Sequence, residues 1–462
     1  MTRASIAIAL VLAGALAGAA FGQTPDPGPA PGAGAGTVDQ FVFAAGGDMI
    51  GPFHPLDRSD PAFRDVAALF QRADVGFANA EGAIFDLATF AGYPAAETGG
   101  GYPVQTPRAA LDIRAMGIGI VSKANNHATD WGAEGLVASL HALAAAGVVE
   151  AGAGMGEDAA RAPAYVSTAK GTVALVDTAS TFPPMAVAGP PVARQGVTSR
   201  PRPGLSPLHV REVRLVTPDE LAVLRLAMGE APSTASSLRI GDQVFEAATE
   251  TGTRWEMDAG DERAILAQVR EARARASFVI FSIHAHETAG DEDVPGPADY
   301  EPMVLHRADE AASADDPRPA AFEPLLFHAA IDAGADVVVR TGPHVLGGIE
   351  IYKGKPIFYS LGSLFFDFGG RRTLTSPGGE TMTFPDALFD SVVPVSTYVR
   401  GRLREIRLHP ITIESGAGPS SGVPRPADAP HAARILARIA SLSAAFGTRV
   451  EIENGIGVIR IP

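Results

Sequence analysis

Five short apolar segments, each running into a polar side chain able to hold a metal, constrain this chain more than any other feature of its sequence. Phe41-Val42-Phe43-Ala44-Ala45 leads into Gly46-Gly47-Asp48, and Val75-Gly76-Phe77-Ala78 into Asn79-Ala80-Glu81-Gly82. Ile118-Gly119-Ile120-Val121 leads to Lys123-Ala124-Asn125-Asn126-His127. Phe278 to Ile283 leads to His284-Ala285-His286-Glu287, and Asp336-Val337-Val338-Val339 is followed by Pro343-His344. Runs of this length, rich in β-branched and aromatic residues, read as buried strands. Between them the spacing predicts helices over 65–73, 108–116, 135–146, 262–276 and 322–333, with Gly147 where a helix C-cap belongs. Strand and helix alternate, so the fold class is α/β. Sheets of that class bind ligands at the carboxyl ends of their strands. Residues far apart in sequence would therefore meet on one rim.

An aspartate after one strand says little, and Asn-His can merely cap a helix. Five such endings together carry more weight. The chain has no cysteine among its 462 residues, which excludes disulfides, thiol nucleophiles and thiolate ligands. Oxygen and imidazole donors without sulfur suit Mn, Fe, Zn or Mg, as one ion or as a pair. A carboxylate bridging two ions about 3.5–4 Å apart would activate water and clamp the oxygens of a phosphoryl centre. The formal charge of −15 repels nucleic acid, and no arginine- or lysine-rich run overcomes it. An anionic substrate would need bound metal to invert the local field.

Gly47-Asp48-Met49-Ile50, Asn79-Ala80-Glu81-Gly82, Ala124-Asn125-Asn126-His127-Ala128-Thr129-Asp130 and Ser282-Ile283-His284-Ala285-His286-Glu287 occur in an order that resembles the CapA (PGA_cap) family. Gly342-Pro343-His344-Val345 and Lys355-Pro356-Ile357-Phe358-Tyr359-Ser360-Leu361-Gly362 continue the series, and the likeness covers about 41–185 and 275–370. The resemblance implies a calcineurin-like metallophosphoesterase sandwich, with two mixed β-sheets flanked by helices. It also implies a link to poly-γ-glutamate capsule synthesis or export. Carried over by motif, Asp48 and His344 would hold a first metal, with Glu81 as the bridging carboxylate. Asn126 and His284 would hold a second, with His286 as a further ligand or a substrate contact. His127 would contact the reacting centre or protonate the leaving group, oriented by Asp130. Relatives carry another histidine just before His344, where this chain has Arg340-Thr341-Gly342. His54 and His286 are the residues able to replace it. Ser363 stands where an asparagine is common in the family.

The N-terminus, with Arg3 before the apolar run Ile6 to Ala20 and small residues at cleavage spacing, reads as a signal peptide over 1–22. Retained, the same run would be a membrane anchor. A Pro/Gly-rich tether follows over 23–40, then the main domain over 41–400, and an extension over 401–462 that completes it. The periodicity weakens over about 186–261, which reads as an insertion, helical near 218–228. The expected location is periplasmic or extracytoplasmic. The expected partners are an anionic polymer or a phosphorylated or acyl small substrate, together with proteins of envelope polymer synthesis. Two functions fit: a metal-dependent hydrolase, or an accessory binding protein of a polymer-export machine. Glu97 to Tyr102 reads as a surface loop, or alternatively as a lid over the rim. His141, His209, His306 and His328 read as surface or packed helix residues, Trp131 as core or pocket wall, and Asp291-Glu292-Asp293 as a solvated loop.

Overall fold

The computed structural model describes residues 40–95, 103–231, 233–241, 243–288, 318–367, 370–375, 381–416 and 418–461. The expected signal peptide and tether, the Glu97–Tyr102 loop, the acidic Asp291-Glu292-Asp293 cluster and His306 lie outside these residues.

The apolar runs form strands because their residues alternate between two dry faces. Phe43, Ala45, Val75, Phe77 and Ile120 turn one way, and pack against Val173, Leu175, Phe278, Ile280, Val337 and Val339 from a second sheet. Their neighbours Ala44, Ala78 and Val121 turn outward onto Val66, Phe70, Ile113 and Met116 of the helices Pro61–Gln71 and Arg108–Met116. Val279, Phe281 and Val338 do the same on the far side, against Ile265 and Val269 of helix Ala259–Arg275 and Leu326 and Phe327 of helix Phe322–Ala333. Apolar residues on both faces explain why these strands read as continuous runs. The result is the expected helix–sheet–sheet–helix sandwich of two mixed sheets.

In the larger sheet, strands Gln40–Ile50, Val75–Asn79, Ile118–Ser122 and Val149–Ala151 lie parallel in that order. Antiparallel Asp390–Val399 and Arg402–Ile413 extend it on the other side of Gln40–Ile50. In the smaller sheet Gly171–Ala179, Phe278–His284, Val337–Thr341 and Lys355–Phe358 are parallel. All five metal-capable strand ends thus point the same way, three from one sheet and two from the other.

Two stretches differ from the sequence expectation. Residues 210–257 are more than an irregular insertion with one helix. Ser237–Ile240, Gln243–Ala247, Val210–Val216 and Gly252–Met257 pair in that order as a four-stranded sheet, beside helix Pro218–Ala227 with its Thr217/Glu220 capping box. Every position of Gln243–Ala247 and Gly252–Met257 is half-buried, so neither strand shows the alternation that betrays a strand. The helix read at 65–73 begins earlier, at Pro61, because Asp60 accepts a hydrogen bond from the Ala62 N–H at 3.0 Å. Among the described residues no helix is long and apolar enough to cross a membrane.

Candidate metal centre

Asp48 reaches the rim through a register shift in its strand between Ala45 and Asp48. The backbone there is pressed against Gly362: a Cβ at Gly47 would sit 1.7 Å from the Gly362 carbonyl oxygen, so only glycine fits. Asp48 is fully buried. It accepts hydrogen bonds from Asn79 Nδ2 at 2.8 Å and from the Gly342 N–H at 3.1 Å, and lies 3.2 Å from His344 Nδ1. Burial alone would raise its pKa, but the His344 and Asn79 hydrogen bonds and the His344 and His284 charges hold it well below the usual carboxylate range.

Glu81 is also fully buried, in the turn that follows Val75–Asn79. Its Oε1 has no hydrogen-bond partner, yet lies 3.8 Å from His344 Nε2 and 4.0 Å from His127 Nε2. Burial, and then the charge of Asp48, push its pKa up to about 8. A dry carboxylate left in this way is costly unless a cation compensates it. Asp48, Glu81 and His344 each offer a ligand atom within 4.8 Å of the others, and this triad could hold a metal ion. Spacings of 3.8–4.0 Å across Glu81 Oε1 are about twice a metal–ligand bond. His344 adopts φ +56°, a conformation uncommon for a non-glycine residue and typical of functional sites.

A second donor set adjoins the first. Asn126 Oδ1 and His286 Nε2 each lie 3.1 Å from His284 Nε2. His284 Nδ1 sits against Thr341 Oγ1 at 3.1 Å, which fixes the ring. Burial depresses its pKa to about 3, so it is the neutral imidazole a metal needs. The ring of His286 stands 5.7 Å from that of His344. A side chain at Gly342 would meet His286: its Cβ would lie 2.8 Å from the Ala285 carbonyl oxygen and 3.1 Å from His286 Cδ2, at φ +117°. Of the two candidates to replace the histidine missing before His344, the structure brings His286 to the rim. His54 is elsewhere, with Nε2 2.5 Å from the Pro419 carbonyl oxygen and Nδ1 4.0 Å from Asp367.

His127 Nδ1 donates to Asp130 Oδ2 at 2.7 Å, which leaves Nε2, with no hydrogen-bond partner, facing Glu81. Burial would lower the pKa of His127, but the charge and hydrogen bond of Asp130 outweigh it and raise the value. The structure therefore brings together Asp48, Glu81, Asn126, His127, Asp130, His284, His286 and His344.

Several residues that organise the rim carried no site assignment from sequence. Asn79 donates to Asp48 and accepts from Ser122 Oγ and Asn125 Nδ2, tying three strand ends together. Asp177, on the other sheet, accepts the backbone N–H groups of Lys123 and Ala124 at 3.0 and 2.9 Å. Arg340, buried against Glu323 at 2.8 Å, donates to the carbonyls of Ala285 and Glu287 that flank His286. A charged residue inside an apolar run, as in Val-Val-Val-Arg340 or Val-Ser-Lys123, marks two of these as unusual in the sequence without indicating what they bind. His209, by contrast, pairs with Asp261 at 2.6 Å away from the rim, and His328 packs on Tyr352. Trp131 packs edge-on against Phe85 and Phe90.

Comparison with known proteins places this geometry. The family described as "Bacterial capsule synthesis protein PGA_cap" matches residues 42–315 and 312–368. Two uncharacterized proteins of Sinorhizobium fredii, y4sH and y4uA, are each 35% identical over 465 residues, covering 92% of this chain and 94% of their own length. The PGA biosynthesis protein CapA of Bacillus subtilis is 58% identical over 45 residues, 10% of this chain and 12% of that protein. A hypothetical protein of Thermus thermophilus superposes with TM-score 0.37 at 15% identity, covering 80% of this chain and 98% of that one.

Proposed function

This chain belongs to the bacterial capsule synthesis (PGA_cap) family, and from that premise we propose that it is an exported, divalent-metal-dependent hydrolase. Its target would be a phosphoester, or a related acyl or amide bond, in an anionic envelope polymer or its precursor. The observation that carries this is the buried Asp48, Glu81 and His344 triad beside a His127–Asp130 pair. A passive scaffold has little use for a histidine so oriented.

Asp48, Glu81 and His344 would hold one ion, and Asn126, His284 and His286 a second, with Glu81 shared between them. When bound, divalent ions supply a water of low pKa and polarise the oxygens of the scissile group. Asp130 holds Nδ1–H of His127, so a proton carried on Nε2 is aimed into the centre. In its protonated form His127 gives that proton to the leaving oxygen. Bound cations also make an acidic chain of formal charge −15 locally receptive to anions.

The alternative, a non-catalytic accessory protein of a polymer-export machine, draws its support from the histidine missing just before His344, where Arg340-Thr341-Gly342 stands. His286 in the adjoining space weakens that support.

Elemental analysis of the chain purified from residue 23, with Mn²⁺-supplemented assays on an aryl phosphate panel, tests the proposal. Two metals per chain, and turnover that falls about 10²–10⁴-fold in His127→Ala with metal content unchanged, are expected. One metal or none, with no turnover, would sink the hydrolase and favour the accessory role.

A further inference from the structure

Lys123 follows the strand Ile118–Ser122 directly and has no solvent exposure. Its ammonium group donates to the Ala80 carbonyl at 3.0 Å and to the Gly82 carbonyl. Those two carbonyls flank Glu81, so the lysine grips the turn on both sides of that carboxylate. The turn itself is tight, with Gly82 at φ +82°. Gln105 Nε2 holds the carbonyl of Glu81 at 3.2 Å, and Asn125 Nδ2 shares the Ala80 carbonyl at 3.2 Å. The backbone of Lys123 is anchored in turn, its N–H and that of Ala124 donating to Asp177 on the opposite sheet. Gly152 makes room for that contact, since a Cβ there would lie 2.0 Å from Asp177 Oδ2.

Burying an ammonium is costly unless nearby charge and hydrogen bonds offset it. A filler of the same volume would be apolar. The charges that surround this lysine are Glu81, Asp130, Glu150 and Asp177. We propose that Lys123 is a positioning residue, which locks the Ala80–Gly82 turn so that Glu81 Oε1 faces His127 and His344. It thereby sets the affinity of the centre for a divalent cation. The inference rests on the metal-centre reading above and assigns Lys123 no contact with metal or substrate. Loss of a group that orients a ligand weakens metal binding by about 10–100-fold.

The test uses the absence of cysteine in this chain. Lys123→Cys, alkylated while unfolded with 2-bromoethylamine and refolded, regenerates a lysine isostere at this position alone. Mn²⁺ affinity by titration calorimetry and the metal-free melting temperature are measured for the parent, Lys123→Met and aminoethylated Lys123→Cys. Mn²⁺ binding at least about tenfold weaker in Lys123→Met, restored to within about threefold by aminoethylation, is the expected result. A folded Lys123→Met whose affinity stays within about twofold of the parent overturns the inference and leaves the metal centre standing. Should Lys123→Met not fold, the aminoethylated chain decides: regained melting without regained affinity makes Lys123 a structural plug only. A parent that binds no Mn²⁺ sinks the metal-centre reading and this inference with it.

Discussion

The rim of the sandwich and the small sheet at 210–257 use charged residues in opposite ways. At the rim Asp48, Glu81, Lys123 and His284 have no solvent exposure, and each feels the charge of at least one other ionisable group there. In the small sheet Arg254 pairs with Glu246 and Glu256 at 2.8 Å, with side chains about a third to two-fifths exposed. Water solvates the second set, so its ion pairs contribute little to stability and can be lost with little effect. The first set is shut off from bulk solvent, so each charge there is either compensated or costly. The difference is one of solvent access: the rim groups depend on one another for compensation, while the small-sheet pairs share theirs with water.

The contrast breaks most severely at Glu81. Glu81→Gln keeps the shape of the side chain and removes its charge, so bound metal should disappear in elemental analysis. The metal-free chain should melt at an equal or higher temperature, because an uncompensated buried acid has gone. Full retention of metal would end the reading of Glu81 as a ligand.

A pH series sharpens the same point. The folded pKa of Glu81 is about 8 against 4.5 for the free group, so the folded state holds the proton more tightly. Stability is then lost as pH rises through that interval. His284, depressed from 6.5 to about 3, acts in the opposite sense but only below 6.5. Between about pH 6.5 and 8 the melting temperature of the metal-free chain should therefore fall. Glu150, raised by burial to about 7, adds to the fall. Metal-loaded protein should show a much flatter curve over that window, and equal slopes for the two forms would contradict the assignment.

The smallest effect is expected in the small sheet. Arg254→Ala should move the melting temperature by no more than about 2 °C and leave Mn²⁺ affinity unchanged. A loss of metal affinity there would show that the small sheet belongs to the centre after all.

Much of the fold is legible in the sequence, for a specific reason. The strands that end at Asp48, Glu81, Asn126, His284 and His344 are buried on both faces, so they read as unbroken apolar runs. The small sheet escaped because two of its strands, Gln243–Ala247 and Gly252–Met257, are half-buried at every position and carry no such pattern. The antiparallel pair Asp390–Val399 and Arg402–Ile413 also escaped, although it supplies a flank of the larger sheet. The rim residues were legible by type, since only a few side chains can hold a hard cation without cysteine. Their supports were not. Asn79, Lys123, Asp177 and Arg340 act through hydrogen bonds to groups of other segments, and no local spacing announces such a bond.

By itself the sequence determined the layered α/β architecture, the polar strand endings and the nitrogen and oxygen donor set. Hydrophobic periodicity and side-chain chemistry are local properties, readable one segment at a time. Tertiary structure alone decided that Gly342 donates to Asp48 across 294 residues of chain, and that His286 rather than His54 reaches the rim. It alone placed the ammonium of Lys123 beneath the turn that carries Glu81. Those outcomes depend on sheet register and on what is excluded from water, and both are set by the packing of the whole chain.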